Sequence, residues 1–311
     1  MSVEATIRQS MFFGVKVLAL FLVMAVGVEA APPAARAGSK ANAQSSASKA
    51  RKASATKKKT RTRKRTTTRR RPRVPSYVTS SYAQNQTSAD VIAGEDPTVR
   101  AAAVEALGNM NGSIVAIDPE SGRILTMVNQ KLALSAGAIP CSTIKIPVAL
   151  AALNEGVVNQ ETEVALSRRV SMNLSKALAV SNNTYFEILG RQLGFQKVAY
   201  YARQFGLGEH AGYGITGEKP GTYPVKEISA SRGGVGRMCS FGEGISVTPL
   251  QLGALVSALA NNGTLYYLQH PHTADEAQAF TPKVKRYLDI APLIPHVQNG
   301  MRGAVDYGTA R

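Results

Sequence analysis

Apolar residues larger than alanine are almost missing between Ala31 and Val74, and no acidic residue occurs between Ala30 and Asp90. A segment this poor in core-forming side chains cannot bury enough apolar surface to offset its ordering entropy. Residues 31–89 are therefore expected to form a disordered basic linker. No aromatic residue occurs between Ala31 and Pro75 either, so the tract lacks the stacking platforms of a single-strand binder, which argues against a nucleic-acid partner. Cysteine is scarce: Cys141 and Cys239 are the only two. They allow one pairing and no zinc-type spacing, and two buried free thiols are the expectation. His270-Pro271-His272 is the only close histidine pair and reads as a surface loop. No cofactor motif and no metal site is expected, and no internal repeat is present.

The formal charge of +17 is unevenly placed, because sixteen of the 37 Lys and Arg lie between Arg36 and Arg73. From Val74 onward bases and acids nearly balance, so the net charge says little about a folded domain or its substrate. At the N-terminus, Arg8 and Lys16 precede the apolar run Val17 to Val28, followed by Val28-Glu29-Ala30. The run is shorter than the ~20 residues a spanning helix needs. Residues 1–30 read as a signal peptide, with an N-terminal anchor as the alternative. Pro32 and Pro33 directly after it argue against a buried soluble helix. The chain is thus expected to be exported, periplasmic or at the cell surface, and the anchor reading would tie it to the inner membrane. The cysteines would then face an oxidising compartment.

Residues 90–311 carry the periodic segments of one domain. Asp96-Pro97 is a helix start with proline at the first helical position, and Gly108 can end that helix. Two aliphatic runs between Gly112 and Asn129 flank the turn Asp118-Pro-Glu-Ser-Gly122, which predicts a hairpin. After Ser142 the pattern reads as mainly helical to about Asn261. The turn Asn262-Gly263 and an extended piece, Thr264 to Gln269, follow. A hairpin followed by a helical stretch implies an α+β layer architecture, and a stable sheet there requires more than two strands. No clear set of further strands is legible before Arg311.

Ile139-Pro-Cys-Ser-Thr-Ile-Lys-Ile-Pro reads as the opening of a helix whose body is apolar on every side, with Gly156 as its stop. Ser142 and Lys145, three residues apart, share a face one turn apart. A lysine at the head of a buried helix loses hydration, which favours its neutral amine, and a neutral amine beside a hydroxyl can make the serine a nucleophile. Helix-start N–H groups sit where an oxyanion can be held. Pro147 removes an intrahelical hydrogen bond near this start, a local violation of the kind that gathers at functional sites. Ser181-Asn182-Asn183 follows 39 residues after Ser142, and Gly242-Glu-Gly-Ile-Ser-Val-Thr-Pro-Leu-Gln-Leu252 comes third.

Taken in order, Pro140-Cys-Ser-Thr-Ile-Lys-Ile-Pro, Ser181-Asn-Asn183 and Gly242 to Leu252 resemble the penicillin-binding protein transpeptidase domain, a serine acyl enzyme related to the β-lactamases. Gly112 to Asn129 is similar to the first two strands of that domain's sheet. The resemblance implies an α+β fold with a helical cluster on an antiparallel sheet, and a peptidoglycan D,D-transpeptidase acting on stem peptides and reacting with β-lactams. It implies Ser142 as the acylated nucleophile, Lys145 as base, Ser181 as proton relay to the leaving amine and Asn183 as the group that orients the substrate amide. The Ser142 N–H would be one oxyanion donor.

The family's third motif, Lys-Thr/Ser-Gly, occurs nowhere in the 311 residues. Met301 to Arg311 reads as the segment that precedes that motif, with a helix and its exit and no strand run before Tyr307-Gly308-Thr309; a degenerate Lys-Thr-Gly at Tyr307-Gly308-Thr309 is the weaker alternative. The expectation is therefore a domain lacking its C-terminal strands, with reduced or no activity. A β-lactamase or D,D-carboxypeptidase is the alternative enzyme. A non-catalytic β-lactam sensor, or a wall-binding protein whose basic tract meets an anionic membrane surface or wall polymer, is the alternative outside enzymes.

Overall fold

The computed structural model of the chain describes residues 82–311, and the expected signal segment and nearly all of the basic tract lie outside them. Tyr82, the first described residue, already bridges to Met110, eight residues before the expected start at Asp90. The reason is polar: the Gln86 side chain donates to Met110 O at 2.7 Å and accepts from the Gly112 amide at 3.2 Å.

Helix α1, Pro97–Leu107, starts where the sequence places it. Asp96 is its cap, accepting from the amides of Thr98 and Val99 at 2.9 Å each. Strands β1 (Ile114–Ile117) and β2 (Ile124–Val128) form the expected antiparallel hairpin, pairing Ile114 with Val128. Asp118 organises its turn by accepting from the Glu120 amide and the Ser121 hydroxyl. The short helix α2 (Gln130–Ala133) follows, and a 3-10 turn, Cys141–Ile144, leads into helix α3, Lys145–Asn154. Pro147 falls in the first turn of α3, where a missing N–H is tolerated, because the α-helix proper begins only at Lys145.

The stretch from Ser142 to Asn261 is less helical than the sequence pattern suggests. Strands β3 (Val164–Ser167) and β4 (Val170–Met172) form a second antiparallel hairpin. Helices α4 (Leu174–Ala179) and α5 (Asn183–Gln204) follow, the latter broken at Gly194. Residues 205–229 are irregular. There the buried Glu218 carboxylate accepts from the Ala211 and Gly212 amides, replacing bonds that a helix would have supplied. Helix α6 is Gly234–Phe241 and α7 is Pro249–Ala260. Strands β5 (Thr264–Tyr266) and β6 (Val284–Tyr287) form a third hairpin around α8, Ala274–Gln278. Strand β6 was not legible in the sequence. Helix α9, Ile294–Asp306, packs on α4. Among the described residues the strands form three separate two-stranded ladders, giving an α+β fold.

Helix α3 is the centre of the core. Pro147, Val148, Ala149, Leu150, Ala151 and Ala152 are all buried, and α5 packs most heavily against it. The Thr-Pro-Leu-Gln-Leu run has a structural explanation. Thr248 and Gln251 form a capping box at the start of α7, with the Gln251 amide donating to Thr248 Oγ1 at 3.1 Å and the Thr248 amide to Gln251 Oε1 at 3.0 Å. Gln251 Nε2 also donates to the carbonyls of Glu209 and Pro220, tying the irregular segment to α7. Gln251→Leu keeps the volume and leaves these buried groups unpaired. The expected loss is at least about 2 kcal/mol, read as a lower urea midpoint with an unchanged slope.

His270 departs from the surface-loop reading. Its side chain is only 2% exposed, and Nε2 lies 2.9 Å from Glu95 Oε1. Glu95 also accepts from the Thr126 hydroxyl and the Met127 amide and pairs with Arg100, which pairs in turn with Asp90. A polar ring can be buried here because each neighbour supplies it or its carboxylate with a partner.

Candidate active site

The local sequence sets two corners that face one another. The first is the entry to α3. Its 3-10 turn is held by the Thr143 amide and hydroxyl, both donating to Pro140 O. This turn leaves Ser142 exposed and carries Lys145 inward, where its residue is 2% exposed.

The second corner is the exit of α4. The Ser181 amide donates to Leu178 O at 3.0 Å and the Asn182 amide to Ala177 O at 2.9 Å, the paired bonds of a Schellman stop. Ser181 occupies the left-handed position of that motif, with φ 51°. The same pair of bonds ends α3, where the left-handed residue is Gly156. A serine thus stands where the geometry favours glycine. Asn182 is simultaneously the cap of α5, accepting from the Tyr185 amide at 2.9 Å. Sequence reasoning gave this middle asparagine no role, although an asparagine directly before a helical run is itself a cap signal. Asn183, the first residue of α5, is thereby aimed back at α3.

The two corners converge on Lys145 Nζ. It lies 2.9 Å from Ser142 Oγ, 2.8 Å from both the carbonyl and the hydroxyl oxygen of Ser181, and 2.7 Å from Asn183 Oδ1. The Ser181 hydroxyl donates to Ser142 Oγ at 2.8 Å. All four residues singled out from sequence are therefore brought together, and none is left outside. Burial lowers the Lys145 pKa to about 8, against a smaller opposing influence from Cys141. The ring of Phe186 lies 5.7 Å from Nζ and closes the apolar side of the site.

Chemically, the arrangement places a hydroxyl between an amine and a second hydroxyl. The amine can take the Ser142 proton once it is neutral, and Ser181 touches both groups and can pass a proton onward. The cysteines are free: Cys141 is exposed and Cys239 buried, and burial pushes the Cys239 thiol up to about 12. Burial of both thiols is thus corrected for Cys141, which the left-handed turn before Ser142 holds at the surface.

Tyr307-Gly308-Thr309 forms no strand beside this site. It follows α9, and the Thr309 amide donates to Ala179 O at 3.2 Å. Gly308 is required there, since a Cβ would lie 1.9 Å from that oxygen.

The family description "Penicillin binding protein transpeptidase domain" matches residues 112–311, and the chain belongs to that family. Among curated proteins it is similar to the peptidoglycan D,D-transpeptidase MrdA of Acinetobacter baumannii, at 27% identity over 56% of this chain and 34% of the relative. It is also similar to stage V sporulation protein D of Bacillus subtilis, at 28% identity over 63% of this chain and 36% of the relative. The chain spans about a third of the length of these relatives. Among solved structures it resembles Pseudomonas aeruginosa PBP2 in complex with WCK 5153, with a TM-score of 0.59 and 23% identity, covering 70% of this chain and 63% of that one. That likeness carries the fold.

Proposed function

We propose that the chain is a serine D,D-acyltransferase of peptidoglycan stem peptides. Ser142 is its nucleophile, Lys145 its base, Ser181 its proton relay and Asn183 its orienting group. The observation that carries this reading is the convergence of Ser142, Ser181 and Asn183 on one buried amine, each within hydrogen-bond distance. Lys145 takes the Ser142 proton as Oγ attacks the penultimate D-Ala carbonyl. The tetrahedral intermediate collapses with the terminal D-Ala amine leaving, and Ser181 delivers the proton to it. An acceptor amine on a second stem peptide then attacks the acyl ester and regenerates Ser142, which forms the cross-link. A β-lactam acylates the same hydroxyl by ring opening.

The 311 residues by themselves contain no Lys-Thr-Gly or Lys-Ser-Gly. In the family the strand bearing that motif supplies the second oxyanion donor, and loss of one donor costs roughly two to three orders of magnitude in rate, so slow acylation is expected of these residues alone. The test is incubation of the full chain with a fluorescent penicillin, followed by peptide mass analysis. A stable adduct on the Ser142 peptide supports the proposal. Rapid release of the label favours the β-lactamase or carboxypeptidase reading. An adduct elsewhere, or none after prolonged incubation, refutes the reading. Export to the wall side and attraction of the basic tract to an anionic surface complete the proposal, on sequence grounds.

The base assignment carries a pH signature. With the Lys145 pKa lowered to about 8, the ammonium dominates below that pH and the neutral amine above it. The acylation rate is expected to rise with pH and to flatten above about 8. A profile flat across that range would remove Lys145 from the role of base.

A further inference from the structure

Five non-glycine residues among those described have left-handed φ: Asn85, Asn129, Cys141, Ser181 and Asn262. Three are asparagines, which tolerate that conformation through local hydrogen bonding. The other two, Cys141 at φ 49° and Ser181 at φ 51°, both belong to the site. Strained residues persist only where the surroundings over-determine them. Ser181 is fixed by the two bonds of the Schellman stop. At Cys141 the Thr143 bonds to Pro140 O close the turn from its C-terminal side, and Pro140 itself has to be held from the other.

On that other side lies the Gly242-Glu243-Gly244 turn, to which the acylation chemistry gives no role. Gly242 ends α6 at φ 78° and lies against the ring of Pro140, the residue before Cys141. A Cβ at position 242 would sit 2.4 Å from Pro140 Cγ and 2.7 Å from Cδ. Beyond this contact the two segments are laced together. The Ala138 amide donates to Val247 O at 3.1 Å, and the Val247 amide to Ala138 O at 2.8 Å. The chain entering Pro140 and the chain leaving Gly242 thus form a clamp that closes on the proline ring.

We infer that Gly242 is a positioning residue for Ser142: its missing side chain lets the clamp close on Pro140, and the closed clamp holds the left-handed turn at Cys141 that sets Ser142 Oγ against Lys145 and Ser181. The inference rests on the proposed acylation chemistry for its functional half only. The mechanical half is independent of it.

The test uses the full chain with three variants: Gly242→Ala, Pro140→Ala/Gly242→Ala, and Gly156→Ala as a control. Gly156 has φ 65° and nothing within 4 Å of an added Cβ, so it carries the same conformational strain without the contact. Two readouts are taken: amide hydrogen exchange by mass spectrometry over residues 139–146, and the acylation rate with fluorescent penicillin. Gly242→Ala is expected to raise exchange in 139–146 about tenfold, with the rest of the domain unchanged, and to slow acylation about tenfold or more. The double variant keeps the strain at 242 but lacks the ring, and should recover a substantial part of both losses. Gly156→Ala should leave both at the wild-type value.

If the wild type is not acylated at all, the proposed function falls, and the exchange data alone decide the clamp. Exchange that is unchanged in Gly242→Ala, or raised across the whole domain, overturns the inference. So does a double variant as impaired as Gly242→Ala, whether by exchange or by failure to fold, because the ring contact is then not the cause. Localised exchange with an unaltered acylation rate overturns the positioning role.

Discussion

Ser142→Ala is expected to abolish covalent labelling by a penicillin completely while shifting the melting temperature by little. Ser142 is an exposed residue, so loss of its hydroxyl removes the nucleophile without opening an enclosed cavity. Lys145 loses one of its four oxygen neighbours and keeps Asn183 Oδ1 and both oxygens of Ser181. The amine therefore stays in place, and the variant tests chemistry rather than folding. A dried gel of fluorescently labelled protein and a mass spectrum of the 142-containing peptide make the measurement. Labelling that persists in Ser142→Ala would sink the assignment of the nucleophile, and with it the roles given to Lys145 and Ser181.

Ser181→Gly should move stability and chemistry in opposite directions. A non-glycine residue in the left-handed region costs roughly 1–2 kcal/mol, which glycine at the same place does not incur. The two Schellman bonds are made by backbone amides and survive the substitution. What disappears is the hydroxyl that touches both Lys145 Nζ and Ser142 Oγ at 2.8 Å. Net stability is expected to rise by about 1 kcal/mol, since lost hydroxyl bonds offset part of the gain. Acylation should fall by about two to four orders of magnitude. Thermal melts and labelling time courses on the same preparation decide it. A less stable variant would mean that the hydroxyl contacts outweigh the strain.

Much of the site was legible because its signals are local. Ser142 and Lys145 are one turn apart on a single helix, and the helix's all-round apolarity marks it as central. Asp96-Pro97 and the Asp118 turn announce their elements within a few residues. What escaped the sequence depends on partners distant along the chain. Strand β6 is short and mostly polar, and it is a strand because β5 offers it a ladder. The pattern after Ser142 reads as helix, yet 205–229 folds irregularly around the Glu218 carboxylate and the Gln251 amide. His270 reads as exposed until Glu95 and Arg100 are placed beside it. The left-handed turns at Cys141 and Ser181 break local preference, so no local reading finds them.

The bond from Thr309 to Ala179 O bears on the order in which the protein matures during synthesis. The last four carbonyls of α4, from Lys176 to Ala179, find acceptor roles in the Val180, Asn182, Ser181 and Thr309 amides respectively. Three of these donors leave the ribosome with the helix; the fourth is made long afterwards. Nucleophile and base are near neighbours in sequence and can assemble early, whereas contacts of high sequence separation form late. Stalled nascent chains bearing residues up to Asn261 should thus expose an unsealed α4 exit and a loosely held Ser181, which limited proteolysis of the 176–184 segment would detect. Closure of the last α4 carbonyl therefore waits for α9 and its exit, and the corner that carries Ser181 is completed only by residues made about 130 positions after it.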